Sequence, residues 1–189
     1  MRSRRLTATL VATAAVLSLA ITASADTPLP HRPGISFTPA VPEDLRALAS
    51  DTWQRFLDAF PARWGCLSDV TVTDTWGELG DRGAYDPEAR LVTVRVPGTG
   101  PNLSATLVHE FAHHLEFTCP EQVQLRPRFL AAQGIPAGTP WRRGDTWADI
   151  PSEQFAQATI QVVLGPRPDS LVLLRPGAVA AIRDWGLGR

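Results

Sequence analysis

Lysine is absent from this chain, and cysteine is scarce. The 18 arginines against 19 acidic residues give a net charge of −1. Nucleic-acid-binding domains are usually strongly basic, so this balance argues against a nucleic-acid partner. The two cysteines, Cys66 and Cys119, lie far apart, which excludes the paired CxxC spacing of a cysteine zinc site. The lack of lysine beside abundant alanine, arginine and proline indicates a GC-rich bacterial genome.

Histidine is also scarce, and three of the four histidines lie together. The segment His109-Glu110-Phe111-Ala112-His113 has the form HExxH. On a helix, residues four apart share one face, so two neutral imidazoles can hold two corners of a tetrahedral zinc site. The carboxylate of Glu110 can then accept a proton from a water molecule on the metal. The motif predicts zinc-dependent hydrolysis.

The residues around the motif predict the helix that this chemistry requires. Apolar side chains recur every four residues at Leu103, Leu107, Phe111 and Leu115. Pro120 ends the pattern, because proline cannot continue a helix. We expect a helix over residues 102–118. The alternative is a buried helix whose histidines only form hydrogen bonds in a core, at a high cost in polar burial.

Zinc needs a third protein ligand, so that water can take the fourth position. No histidine follows His114, which excludes the HExxHxxGxxH pattern of the metzincins. Glu116 lies on the motif helix itself and is poorly placed to return to the metal. The downstream acidic residues are the candidates: Glu116, Glu121, Asp145, Asp149, Glu153, Asp169 and Asp184.

Glu153 is the best placed of these residues. Pro151 suits the first position of a second helix, and Phe155 and Ile160 give that helix an apolar face. Packing of this face against the motif helix presents Glu153 to the metal. Two alternatives remain open: Glu153 is an ordinary first-turn acid favoured by the helix dipole, or the third ligand is Asp149 or Asp145.

HEFAH, followed forty residues later by Glu-x-Phe-Ala, resembles the gluzincin branch of the zincin metallopeptidases. The resemblance covers about a third of the chain. It implies an α+β, zincin-like domain with a short mixed sheet, an HExxH helix and a second helix carrying the third ligand. It also implies His109, His113 and Glu153 as Zn²⁺ ligands and Glu110 as general base. Where the thermolysin-type pattern has an acid, this chain has Gln157, whose amide oxygen can accept the ring N–H but raises ligand basicity less.

Alternation of valine with threonine predicts two strands, near Val70 and over 91–96, separated by a glycine-rich turn over 77–83. The resemblance implies that an edge strand borders the cleft and pairs with a peptide. Tyr85 is predicted to have a turn or packing role, with oxyanion support as the alternative. Further helices are predicted over 43–60 and 176–185, and an irregular connection over 119–148. Arg142, in that connection, is expected to be a solvated charge or to bind a substrate carboxylate.

The first 25 residues have the pattern of a secretory signal peptide. Arginines precede an apolar run over 6–19, and Ala23-Ser24-Ala25 is a small-residue cleavage site. An uncleaved membrane anchor is the alternative. Removal of three arginines leaves 15 against 19 acidic residues, a net charge of −4. No other apolar run is long enough to cross a bilayer, so no stable membrane insertion is expected after cleavage.

These patterns divide the chain into a signal peptide (1–25), a proline-rich extended surface segment (26–41) and one domain (42–189). Secretion into an oxidising compartment favours a disulfide between Cys66 and Cys119. The expected partner is a peptide or protein substrate, and the expected state is a monomer. The alternatives to a metallopeptidase are a non-catalytic secreted zinc-binding module and a cell-wall amide hydrolase.

Overall fold

The computed structural model describes residues 31–76, 82–167, 170 and 172–189. The predicted signal peptide, the start of the proline-rich segment and most of the predicted turn over 77–83 lie outside these ranges. The described residues form five α-helices and one four-stranded mixed sheet, which confirms the α+β class. Among their helices, none is long and apolar enough to span a membrane.

The sheet places an antiparallel strand at one edge. Its strands are β1 (Ile35–Phe37), β2 (Val70–Thr75), β3 (Gly83–Asp86) and β4 (Leu91–Arg95), in the order β1-β2-β4-β3. The first three in this order run parallel, and β3 is antiparallel to β4. Alternate positions of β2 and β4 carry the buried valines Val70, Val72, Val92 and Val94. These valines cover one face of the sheet with apolar side chains, as the alternation predicts.

The helix that carries the HExxH motif lies at the centre of the fold. The helices are α1 (Glu43–Ala59), α2 (Gly100–Thr118), α3 (Gln122–Gln133), α4 (Pro151–Leu164) and α5 (Pro176–Gly186). Helix α2 contacts α1, α4, β3 and β4. In its predicted apolar row, Leu107, Phe111 and Leu115 are buried and Leu103 is partly buried. The ring of Phe111 lies 4.8 Å from Trp53 and 5.7 Å from Phe56. Packing on several sides fixes the direction in which the motif side chains point.

Two strands depart from the prediction. Residues 26–41 were expected to form an extended surface segment, but Ile35–Phe37 pairs with β2 as β1, and its two apolar residues pack against the core. The two-strand prediction also missed β3 (Gly83–Asp86), which begins at the last residue of the predicted turn. Strands of three and four residues are too short to show alternation, and pairing with a neighbour decides their structure.

Helix α3 occupies part of the segment predicted to be irregular. Pro127 lies inside the helix, where it removes a backbone hydrogen bond. Burial of Leu125, Phe129 and Leu130 offsets that loss. The helix ends at Gly134, whose φ of 77° is left-handed and favours glycine. The prolines of this segment wrongly indicated an irregular connection, whereas the spacing of its apolar residues indicates the helix.

The two cysteines form a disulfide, as predicted. Cys119 directly follows the last residue of α2, and Cys66 follows the short 3₁₀ helix Pro61–Arg63. The bridge therefore anchors the C-terminal end of the motif helix to the segment that leads into β2.

Replacing both Cys66 and Cys119 by serine is expected to lower the free energy of unfolding by about 4 kcal/mol, because it opens a loop closed across 53 residues. Urea unfolding of the oxidised protein and of the variant measures the difference. Reduced wild-type protein is the control and should unfold like the variant. Equal stability of the oxidised protein and the variant would refute a structural role of the bridge.

Candidate metal centre

Helix α2 brings two imidazoles together at the cleft. His109 and His113 are one turn apart, and their Nε2 atoms are 3.2 Å apart. Their side chains are only 12% and 14% exposed, which leaves the ring edges accessible from one side. The spacing that the motif predicts is therefore realised on one face of a packed helix.

The third group comes from the first turn of α4. Pro151 occupies the first helical turn, where its missing N–H costs nothing. Two residues later, the Oε2 atom of Glu153 lies 3.0 Å from His109 Nε2 and 3.5 Å from His113 Nε2. Among the residues that the structure describes, these three side chains are the one group positioned to hold a metal ion.

The spacing of the three ligand atoms fits a tetrahedral metal ion. Zinc binds histidine nitrogen at about 2.0–2.1 Å and carboxylate oxygen at about 2.0–2.2 Å, so the edges of its tetrahedron are about 3.3 Å long. The three distances, 3.0, 3.2 and 3.5 Å, bracket that edge length. Two imidazoles and a carboxylate leave a fourth corner for water, and all three residues line the cleft. The residues present therefore fit a divalent metal ion with one open position.

The charges of the centre also favour a cation. Burial raises the pKa of Glu153, but hydrogen bonds from His109 and His113 outweigh burial and bring it down to about 2. Burial lowers the pKa of His113, but the carboxylates of Glu116 and Glu153 outweigh it and raise that pKa to about 10. Both shifts have the same origin, which is the attraction between the carboxylates and the two rings. A divalent cation between the rings and Glu153 would interact with the same carboxylates more strongly than a proton does.

Each histidine has a second residue at its other ring nitrogen. The Nε2 atom of Gln157 lies 3.2 Å from His109 Nδ1. Rotation of this amide by 180° places its oxygen there, the orientation that accepts the N–H of a ring bound through Nε2. Glu116 Oε2 lies 3.7 Å from His113 Nδ1. Gln157 thus lies beside His109. The contact of Glu116 was missed, although its spacing of three residues from His113 indicates it.

Glu110, the predicted general base, is buried and lines the cleft beside the centre. Strand β3 approaches it closely at Gly83. A Cβ atom at that position would lie 2.8 Å from Glu110 Oε1 and 2.6 Å from Thr106 Cγ2. Only glycine lets the edge strand run this close to α2. The sheet edge and the carboxylate therefore border the same part of the cleft.

The hydroxyl of Tyr85 is engaged by His114 rather than by the centre. It lies 2.9 Å from His114 Nδ1, and His114 Nε2 lies 2.9 Å from the carbonyl oxygen of Ser68. His114 therefore donates from Nε2 and accepts from Tyr85. Burial lowers the pKa of His114 to about 4 and raises that of Tyr85 to about 12, so both groups are neutral at pH 7. This arrangement agrees with the predicted packing role of Tyr85.

The alternative third ligand Asp149 has another role. Its Oδ2 atom accepts hydrogen bonds from the backbone N–H and the hydroxyl of Thr146, which caps the 3₁₀ helix Trp147–Asp149. A carboxylate held in a cap points to its own turn. The structure therefore brings Glu153, and not Asp149, to the two imidazoles.

An open cleft of about 650 Å³ lies in front of the ligand atoms, a size typical of ligand sites. Its walls come from β3, α2, α4 and the connection before α4. Trp147 stacks on the ring of His109 at 6.0 Å between centroids and is 39% exposed. Trp141, in contrast, is buried between Phe129 and Phe155. Of these two tryptophans, only Trp141 is buried in the core.

Comparison with models of known protein families, with curated proteins and with solved structures found no match for this chain. The chemistry of the centre itself is therefore the basis for assigning a function. Three ligand atoms, an open coordination position and a buried carboxylate beside it are the parts that metal-assisted hydrolysis requires.

The assignment of Glu153 can be tested by metal content. Glu153→Ala is expected to bind much less than one zinc ion per chain, because two imidazoles alone hold zinc weakly. Asp149→Ala is the matched control and should keep stoichiometric zinc, with a stability loss of about 1 kcal/mol from its lost cap. Atomic absorption after gel filtration measures both. Stoichiometric zinc in Glu153→Ala would exclude Glu153 as a ligand.

A carboxylate behind His109 is expected to strengthen the centre. Gln157→Glu should tighten zinc binding by about tenfold, because a carboxylate on the ring N–H raises the basicity of the ligand. Gln161→Glu, one turn further along α4 and also lining the cleft, is the control and should leave the affinity unchanged. Competition with a chromogenic chelator measures both affinities. Unchanged or weaker binding in Gln157→Glu would show that Gln157 does not act on the ligand.

Proposed function

We propose that this protein is a secreted zinc-dependent metallopeptidase of the zincin type. His109, His113 and Glu153 hold the zinc ion, and Glu110 is the general base. One observation carries the proposal: three ligand atoms 3.0–3.5 Å apart lie beside a buried glutamate at the wall of an open cleft. This combination has the ligand number, the geometry and the proton acceptor of a hydrolytic zinc site.

The residues of the centre have separate roles in the proposed reaction. A zinc ion held by His109, His113 and Glu153 would supply Lewis-acid chemistry for the attack of water on the scissile carbonyl. Glu110 accepts the proton of the attacking water and later donates it to the leaving amine. Burial of Glu110 keeps other water away from this carboxylate and strengthens its electrostatic interactions. Gln157 holds the ring of His109 in its binding orientation.

The edge strand supports a peptide as the substrate. In the order β1-β2-β4-β3, one side of β3 is not paired with a described strand. Arg82, Gly83, Ala84 and Tyr85 all line the cleft. An extended peptide that pairs with this edge would place successive peptide bonds past Glu110 and the ligand atoms. Main-chain pairing of this kind explains binding of a polypeptide without a particular side-chain sequence.

Two features support action outside the cytoplasm. The disulfide between Cys66 and Cys119 is stable in an oxidising compartment. The signal peptide predicted over 1–25 directs a chain to such a compartment. Secretion of the mature enzyme accounts for both features.

Glu110→Gln is expected to lower the rate of peptide cleavage by at least about 100-fold, because the amide cannot accept a proton. Zinc stoichiometry should stay at one per chain, since Glu110 is not a ligand. The measurement is cleavage of a mixed-sequence peptide library, analysed by mass spectrometry. The chelator-treated protein, with and without added zinc, is the control.

The same experiment separates the proposal from its rivals. Zinc-loaded wild-type protein that cleaves no peptide, with Glu110→Gln indistinguishable from it, indicates a non-catalytic zinc-binding module. Release of soluble fragments from cell-wall peptidoglycan, without cleavage of the library, indicates a cell-wall amide hydrolase. Either result rejects the peptidase assignment.

A further inference from the structure

Glu116 is a charged residue enclosed in the protein directly behind the metal centre. It lies three residues after His113 on α2, and its side chain is 0% exposed. Its Oε1 atom accepts a hydrogen bond from Arg142 Nε at 2.7 Å and forms an ion pair with Arg142 Nη2 at 2.6 Å. Burial of a carboxylate is costly, so such a residue requires compensation by its neighbours. Arg142 supplies that compensation on one of the two oxygen atoms.

The other oxygen of Glu116 faces the metal ligand. Oε2 is buried and has no hydrogen-bond partner, and it lies 3.7 Å from His113 Nδ1. This distance is too long for a hydrogen bond but is closed by a small rotation of either side chain. The nearest further cation, Arg126, approaches Oε1 and not Oε2, at 3.9 Å. Oε2 is therefore the acceptor available to His113.

Binding of a metal ion determines which ring nitrogen of His113 carries the proton. The ligand atom Nε2 has no proton when it coordinates a metal, so the neutral ring carries its proton on Nδ1. That N–H points at a buried carboxylate oxygen that lacks a donor. We propose that Glu116 is the positioning residue of His113, which it orients for the metal by accepting its Nδ1–H, and that Arg142 fixes Glu116 from the connection before α4. This inference rests on the proposed metal centre.

The proposal gives the two histidines different partners. His109 has the neutral amide of Gln157 behind it, whereas His113 has a full carboxylate. A carboxylate raises the basicity of its ligand more than an amide does. Glu116 therefore supplies, at the second histidine, the acid that the sequence lacks at position 157. Arg142 also lies over the ring of Phe117 at 3.8 Å, and both residues line the cleft. Arg142 therefore connects the buried Glu116 to the wall of the cleft.

Glu116→Gln tests the proposal by forcing a conflict between two hydrogen bonds. The amide oxygen of the glutamine must face Arg142, because two donors cannot face each other, and its NH₂ group then faces His113 Nδ1. That arrangement requires Nδ1 to be an acceptor, which places the proton on the metal-binding Nε2. Zinc affinity should fall by about 10- to 100-fold, measured by competition with a chromogenic chelator.

Glu121→Gln is the matched control. Glu121 lies just past the end of α2 and pairs with an arginine, Arg63, but does not approach the centre. It should keep the wild-type zinc affinity. Thermal unfolding of both variants in a chelator measures the effect on the metal-free fold. A fall in affinity for Glu116→Gln alone supports the proposal. Wild-type affinity in Glu116→Gln, with zinc bound by the wild-type protein, rejects it and leaves the metal centre intact.

A second measurement uses the unmodified protein and is independent of variant folding. In the zinc-loaded protein with ¹⁵N-labelled histidine, His113 should show a protected Nδ1–H proton shifted downfield by a carboxylate acceptor. An Nδ1–H that exchanges as fast as that of a solvated histidine, or zinc bound through Nδ1, overturns the assignment of Glu116. Failure of wild-type protein to bind zinc at all rejects the metal centre itself.

Discussion

The contact between the Glu153 carboxylate and the two imidazoles of α2 is the constraint on which the site depends. The distances between its three ligand atoms must match the edge of a tetrahedral site to within a few tenths of an ångström. The atoms come from α2 and α4, which are separated in the sequence by α3 and a long connection. Close packing of α4 against α2 provides this precision, because well-packed apolar side chains permit little sliding. The disulfide at Cys119 and the short β3–α2 approach at Gly83 hold α2 from two further directions.

The charge of the centre follows from the same arrangement. The carboxylates of Glu110, Glu116 and Glu153 surround two imidazoles, and Arg142 neutralises one of them. Carboxylates placed this close together are costly in a fold unless a cation lies among them. A divalent ion offsets the remaining charge, so binding of the metal and stability of the fold are coupled. The proposed metal ion would account for these buried acids.

Periodicity in the sequence predicts the central parts of this fold and of its site. The four-residue row from Leu103 to Leu115 locates α2, and Pro151 with the following apolar residues locates the start of α4. Local patterns carry less information where neighbours decide the structure. Strands β1 and β3 depend on pairing, and α3 forms despite Pro127 because its apolar face is buried. The bond between Arg142 and Glu116 joins two distant segments, and no local pattern indicates it.

Zinc-edge anomalous diffraction from crystals of the zinc-loaded protein tests the central claim most directly. The account predicts one strong peak at about 2.0–2.2 Å from His109 Nε2, His113 Nε2 and a carboxylate oxygen of Glu153. Its fourth coordination position should open to the cleft beside Glu110. A zinc peak that is not coordinated by Glu153 would contradict the account. A fully occupied zinc site elsewhere, with no peak between α2 and α4, would contradict it as well.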